Sequence, residues 1–208
     1  PPVLHLPVDF PRPAVRDFEG RRFNFVIEPA LPSSIHQLAG SSGATTFMVV
    51  LSTLNIFLSK LTGQDDIVIG SPIAGRSHAD LQSVIGVFIN TIAMRNTVDA
   101  GQTVNEFLSD VRERALRHFE NQDYPFEDLV EKVVDQRDTG RNPLFDVVMT
   151  LQSAAAPTGE TKAKPAQTGL SIRPIPHTNT TAKFDLSFLG VEVGNTIQFT
   201  IEYSTALF

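Results

Sequence analysis

Apolar positions along the chain switch between alternation and three-to-four spacing, which predicts strands interleaved with helices. Arg22 to Glu28 alternates and closes at Pro29, as a strand does. A short helix is predicted from Pro32 to Ala39. From Thr46 to Leu61 the apolar residues fall on one helical face, with Thr45 or Thr46 as N-cap and Gly63 as the stop. Ile67 to Gly70 is a short apolar run of the buried-strand kind, followed by a Gly-, Ser- and Arg-rich loop from Ser71 to Asp80. Val87 to Arg95 reads as a strand that must bury Asn90 or Thr91 on one face. Thr103 and Glu106 form a capping box, and Val104, Phe107, Leu108, Val111, Ala115 and Phe119 mark one face of a long helix. A shorter helix is predicted from Glu127 to Val134 and a strand from Leu144 to Leu151. Ala154 to Thr168 has no apolar periodicity and reads as a loop. Three strand-like runs close the chain: Ser171–Pro176, Lys183–Val191 and Thr196–Tyr203. The order predicts an α+β, or mixed α/β, layer structure rather than a regular βαβ alternation.

Composition narrows what this fold can do. The 208 residues are enough for a sizeable core, and 41% hydrophobic with 19% charged residues is ordinary globular usage. The net charge is −6 with scattered Lys and Arg, so no basic footprint points to nucleic acid. The count of cysteines is 0, which excludes disulfides, thiolate metal sites and a thiol nucleophile from these residues and suits a cytoplasmic setting. The opening residues lack the pattern of a signal peptide, and the most apolar stretch, Phe47 to Leu58, is far short of the roughly 20 residues that span a bilayer.

Residue types that carry chemistry are sparse. His5, His36, His78, His118 and His177 are isolated, so no metal-ligand spacing exists. Ser77, His78 and Asp80 have the residue types of a hydrolytic triad, but on one short loop they read as solvated residues. Gly40 to Gly43 lacks the lysine of a phosphate loop. Asn179-Thr180-Thr181 matches a glycosylation acceptor by pattern alone.

Three segments are more specific. Ile85-Gly86-Val87-Phe88-Ile89-Asn90-Thr91-Ile92-Ala93-Met94-Arg95 resembles the motif IGxFVNTxxxR of condensation domains from non-ribosomal peptide synthetases. Asn121-Gln122-Asp123-Tyr124-Pro125-Phe126-Glu127 resembles the family's HQDYPFE, and Arg137-Asp138-Thr139-Gly140-Arg141-Asn142-Pro143-Leu144 its RDxSRNPL. LPVDFPRP, IVIGSPIAGR, AKFDLSF and IEYSTALF resemble further family segments, so the likeness covers nearly the whole chain. Asn121 stands where histidine is common and Gly140 where serine is common.

The resemblance implies a chloramphenicol acetyltransferase-like half-domain, the C-terminal subdomain, with residues 1–21 entering as a linker and 22–208 folded. It implies amide formation between aminoacyl or peptidyl groups carried as phosphopantetheine thioesters on donor and acceptor carrier proteins, with no cofactor bound directly. Further implied partners are the N-terminal subdomain and an adenylation domain. The family's HHxxxDG motif does not occur in these residues, so the catalytic histidine is expected from the other half and this half is expected to be inactive alone. Asn90, Thr91 and Arg95, with Asn121, Gln122, Asp123, Tyr124 and Pro125, are the expected tunnel and motif residues. Each has a plainer reading: a polar ladder locking a strand for the first group, and helix capping for the second. Arg137, Asp138 and Arg141, in a structural motif with Asn142 and Pro143, are expected to pair with each other or with the other half and hold the turn before the strand at Leu144, in preference to contacting substrate. A non-catalytic recruitment module of the same fold, or the matching half of an epimerisation or heterocyclisation domain, remains open. An isolated half is expected to expose apolar surface and a strand edge, and so to self-associate.

Overall fold

The alternating segments pair into one mixed sheet: β1 (Gly20–Ile27), β2 (Asp66–Ile73), β3 (Asn90–Thr97), β4 (Val147–Ser153), β5 (Leu186–Val193) and β6 (Thr196–Ser204). Their spatial order is β1-β6-β5-β4-β2-β3. β4 runs parallel to both β2 and β5, and the remaining neighbours are antiparallel. The structure is a computed structural model, and it describes residues 2–28, 30–136, 138–153, 175 and 180–208. Arg137, the loop expected at Ala154–Thr168 and all but Ile175 of the strand expected at Ser171–Pro176 lie outside the described residues, as do His177 and Asn179.

Among the described residues four α-helices accompany the sheet, α1 (Ala30–Ser41), α2 (Thr46–Thr62), α3 (Val104–Glu120) and α4 (Phe126–Val133), with a short 3-10 helix at Ala79–Ser83. Local chemistry sets their ends. Thr45 accepts the Met48 N–H at 3.3 Å, and Gly63 ends α2 with φ +70°, a backbone state open to glycine. Thr103 and Glu106 form the expected capping box at the start of α3. On the expected face of α3, Phe107, Leu108, Val111 and Ala115 are buried, while Val104 projects from the first turn and is 60% exposed.

Hydrophobic burial distributes over both sheet faces. On one face, Leu51, Leu54 and Leu58 of α2 and Val111 of α3 pack on Ile67, Ile69, Met94, Val147 and Met149. Behind them Ala39, Met48, Val49, Leu108 and Ala115 join the helices to one another. On the opposite face Val130 of α4 packs with Val68, Leu144, Phe145 and Val148. Gly70 is required there, because a Cβ at that position would come within 2.1 Å of the Phe145 ring. Ser52 and Asn55 are buried polar residues of α2 whose side chains donate to the carbonyls of Met48 and Leu51, one turn back.

Two expectations need correction. Within the expected linker, residues 2–21 pack on the folded body: Leu4 and Leu6 are buried in the core, the Asp9 and Phe10 amides donate to the Leu207 carbonyl, and β1 already starts at Gly20. The strand expected at Val87–Arg95 is displaced, since β3 begins only at Asn90. Its partner β2 ends at Ile73, opposite Asn90, and Gly75 with φ +62° turns the chain away under the Phe88 carbonyl. Val87 and Ile89 are left without a strand to pair with. The remaining differences are smaller: β2 extends through Ile73 into the expected loop, and Leu144–Asp146 form a turn before β4.

No single helix among the described residues is long and apolar enough to cross a membrane. α1 and α2 meet that test only jointly, across a bend of 106°.

Candidate functional site

β2 and β4 pair at a single position, Gly70 with Val148, and then diverge. A groove opens between their carboxyl ends, the place where sheets with parallel neighbours hold ligands. It encloses about 1400 Å³ counting its open mouth. Ser71–Ala74 and Arg76 form one side, Thr150–Gln152 another, and Phe47, Phe119 and Gly86–Ile89 complete it. Its surface is mainly apolar, and Arg76 is the one charged side chain among the described residues that line it. The Arg76 guanidinium lies 4.3 Å from the Phe88 ring centroid and donates to the Leu81 carbonyl.

Below the groove rim, Asn90 ties two of the singled-out motifs together. Its amide nitrogen donates to the carbonyls of Gln122 and Tyr124, both at 2.8 Å. Its amide oxygen accepts the Thr91 N–H at 2.8 Å and the Phe126 N–H at 3.2 Å. The bond from Phe126 supplies the N-terminal cap of α4, whose own cap position, Pro125, has no side-chain hydrogen bond. The capping expected of Gln122, Asp123 and Tyr124 is therefore performed from β3, and Gln122 and Tyr124 contribute main-chain carbonyls. Phe126 does point inward, with its ring 5.5 Å from that of Phe145. Tyr124 lies 5.2 Å from the Lys132 ammonium. Asn121 caps the other helix, its side chain donating to the Arg117 carbonyl at 2.8 Å.

Arg95 stands apart from this arrangement. Strand alternation puts it on the face opposite Asn90, where it makes a two-point pair with Asp66 at 2.9 and 2.6 Å. That hydrogen bond holds the Asp66 carboxyl below its ordinary range. Asn90 and Arg95 share a strand but no wall.

The segment 138–146 carries an ionic knot whose centre, Arg141 with Asp146, is largely buried. Arg141 donates to Asp146 at 2.6 Å and to the Leu4 carbonyl at 3.2 Å, while Asp138 is at 4.0 Å and accepts the Gly140 N–H. The Asn142 N–H donates to Asp146 at 3.2 Å, and its side chain accepts from Arg16 at 2.5 Å. Arg12 pairs with Asp185 and donates to the Gly140 carbonyl at 3.1 Å. Pro143 borders a cleft with Leu4 and Asp66. Burial pushes the Asp146 carboxyl up, helped by the charge of Asp185 and opposed by Arg141 and Arg12. Asp138 and Arg141 thus approach only to 4.0 Å, and the main partners in this segment are Arg12, Arg16, Asp146 and Asp185, which the sequence did not indicate. One signal was available: both buried aspartates follow a phenylalanine just before a strand, and the Phe145 and Phe184 rings lie 5.9 Å apart.

Other candidates stay as loop chemistry. His78 and Asp80 approach at 3.4 Å on an exposed turn, with the Asp80 N–H donating to the imidazole. Among the described residues no group of His, Asp or Glu could hold a metal ion.

Comparison with known proteins gives one consistent family. The family described as Condensation domain matches residues 1–208. Tyrocidine synthase 3 of Brevibacillus parabrevis is 46% identical over 207 residues, which is 100% of this chain and 3% of that protein. The chain thus spans a small part of the curated relatives that it matches. A four-domain nonribosomal peptide synthetase, solved in its holo form with AMP and glycine, superposes with a TM-score of 0.83 at 28% identity, covering 98% of this chain and 16% of that one. The X-domain from teicoplanin biosynthesis superposes with a TM-score of 0.89 at 22% identity, covering 99% of this chain and 46% of that one, and this shows the shared fold.

Proposed function

The chain belongs to the condensation-domain family, and on that premise we propose that it is the C-terminal half of such a domain and forms one wall of the channel in which an amide bond is made. The substrates are aminoacyl or peptidyl groups held as thioesters on the phosphopantetheine arms of a donor and an acceptor carrier protein. The observation that carries this reading is the groove at the ends of β2 and β4, apolar, open on one side and rimmed by the segment that Asn90 fixes.

Amide formation requires an amine nitrogen to attack a thioester carbonyl, lose a proton, and expel the thiolate. Holding the two reactants at contact distance supplies a large share of such a rate enhancement. A mainly apolar groove suits this work by excluding water, which would otherwise hydrolyse the thioester. The groove offers no carboxylate or imidazole among its described lining residues. Proton handling is therefore assigned to the opposite wall, the preceding half of the domain, and this half is inactive alone. The adenylation domain of the same synthetase would load the carriers, and the absence of cysteine suits the reducing cytosol.

Single-turnover condensation between two loaded carrier proteins tests the reading, with this chain alone and with the complete domain. Amide product with the complete domain only is expected. Product with this chain alone would overturn the assignment of proton handling to the other half. No product with either would favour a recruitment module that keeps the fold without the chemistry.

A further inference from the structure

Two helix ends meet in an aromatic pair on the helix side of the groove. Phe47 stands in the first turn of α2 and Phe119 in the last turn of α3, and their ring centroids are 6.2 Å apart with 56° between the planes. Both line the groove, and both pack behind it on the helix-to-helix cluster of Ala39, Met48, Val49, Leu108 and Ala115. The pair therefore separates the groove from that cluster. Two of the residues behind it are alanines, so a shorter side chain at either position would let the groove run deeper between the helices.

Caps and one long-range bond hold the pair in register. The Thr45 hydroxyl accepts the Met48 N–H at 3.3 Å, which fixes the turn that carries Phe47. The Asn121 side chain donates to the Arg117 carbonyl at 2.8 Å and closes the turn that carries Phe119. Arg112 of α3 donates to the Gly43 carbonyl at 2.8 Å, just before the cap of α2, so the two helix ends keep their separation. Rings held this way discriminate by size, because a close-packed surface yields little to a group that is too long.

We propose that Phe47 and Phe119 are specificity-determining residues, which set the depth of a pocket for the side chain of a substrate aminoacyl group, and that this side chain is uncharged and apolar. The proposal rests on the reading above, that the groove is one wall of the condensation channel. Two observations select the occupant. The lining is mainly apolar, so an aliphatic or aromatic side chain gains by leaving water there, whereas an ammonium group would lose its hydration and find no carboxylate among the described lining residues. The one charge on that lining, Arg76, has the sign that repels such a cation. Donor and acceptor residues share this chemistry, and the experiment tells them apart.

Stable aminoacyl pantetheine amides, with nitrogen in place of the thioester sulfur, would be titrated into the complete domain by calorimetry, without turnover. Alanyl, leucyl, lysyl and naphthylalanyl side chains would be compared, each with a free amine as in an acceptor and N-acetylated as in a donor. The complete domain should bind the leucyl amide more tightly than the alanyl and lysyl amides. Phe119→Ala should improve binding of the naphthylalanyl amide relative to the leucyl amide by roughly tenfold or more, and Phe119→Trp should move the optimum toward alanyl. Phe47→Leu, which keeps the core apolar, should act in the direction of Phe119→Ala by a smaller factor. Phe57→Ala, at a 51% exposed position of α2, should leave the profile unchanged. A shift confined to the free-amine series assigns the pocket to the acceptor, and one confined to the N-acetylated series assigns it to the donor. A profile that no Phe47 or Phe119 variant moves, an equal loss for every side chain, or equal binding of leucyl and lysyl amides would overturn the proposal. Condensation run on the same samples separates the two claims. Amide product with an unmoved profile sinks the pocket alone, and a moved profile without product sinks the catalytic reading alone.

Discussion

At the scale of single residues, two acid–base pairs of similar geometry should have very different consequences. Asp66 meets Arg95 at 2.6 Å with side-chain exposures of 35% and 59%, and Asp146 meets Arg141 at the same 2.6 Å with exposures of 5% and 18%. Water screens the first pair, so Asp66→Ala should cost no more than about 1 kcal/mol in urea unfolding. Asp146→Ala leaves Arg141 largely buried without its carboxylate and removes an acceptor from Asn142, and it should cost about 3–5 kcal/mol. Replacing both partners, Asp146→Leu with Arg141→Met, should recover much of that loss, because the cost lies in the unpaired buried charge. If Asp146→Ala proved as mild as Asp66→Ala, the knot would be wetter than its burial indicates. The RDTGRNPLFD segment showed in the sequence that a charged turn was present. Its partners were not legible, since Arg12 and Asp185 are separated by 173 positions and meet only through the fold.

At the scale of elements, periodicity located all four helices and the body of most strands, because apolar faces packed on a sheet leave a repeating trace. It failed where a long-range contact decides. Val87 to Ile89 has strand composition, yet β2 ends opposite Asn90 and leaves no neighbour for it. Likewise α4 is capped from β3 by Asn90, a cap with no local sequence signature. Asn90→Ala should therefore destabilise the turn and the first turn of α4 together, by about 2–3 kcal/mol from a lost cap and the lost bonds to two carbonyls. Hydrogen exchange at the Phe126 amide should accelerate more than exchange in α2. Asn90→Asp should not rescue it, because one carboxylate oxygen would face the carbonyls of Gln122 and Tyr124. α3 carries a pH dependence of its own. Burial lowers the pKa of His118 from the ordinary 6.5, with the Arg114 carbonyl opposing and the Arg114 charge assisting. The unfolded chain then binds the proton first, so stability is unaffected above pH 6.5 and falls as pH drops below it, until the folded imidazole titrates as well. Urea midpoints across pH 7 to 5 should show a slope of at most about 1.4 kcal/mol per pH unit from this group, absent in His118→Gln.

At the scale of the whole molecule, the sheet is covered unevenly. α2 and α3 pack on β2, β3 and β4, while β1 stands at the edge with Phe23 60% and Val26 55% exposed. On the face shared with the core, Phe23 stacks on Phe25 at 6.1 Å and Phe25 on Phe199 at 5.5 Å, with Ile201 opposite Phe23. The other face of the same two strands is polar apart from Val26, joined by Arg22 with Glu202 and by Thr200 with Asn24. An eight-residue edge with an apolar face and no proline is open to pairing with another chain. The isolated 208-residue chain should therefore self-associate, with an apparent mass by light scattering that rises with concentration. Phe23→Lys should reduce this by setting a charge in the middle of the aromatic row, whereas Glu202→Gln, on the polar face, should not. Two sites can drive the association, the β1 edge and the exposed apolar strip at Ile85–Ile89, and the variants tell them apart. If Val87→Asp rather than Phe23→Lys restores a monomer, the apolar strip at Ile85–Ile89 is the dominant adhesive surface of the isolated chain. If neither single variant does but Phe23→Lys and Val87→Asp together restore a monomer, both surfaces drive the association, each sufficient when the other is blocked.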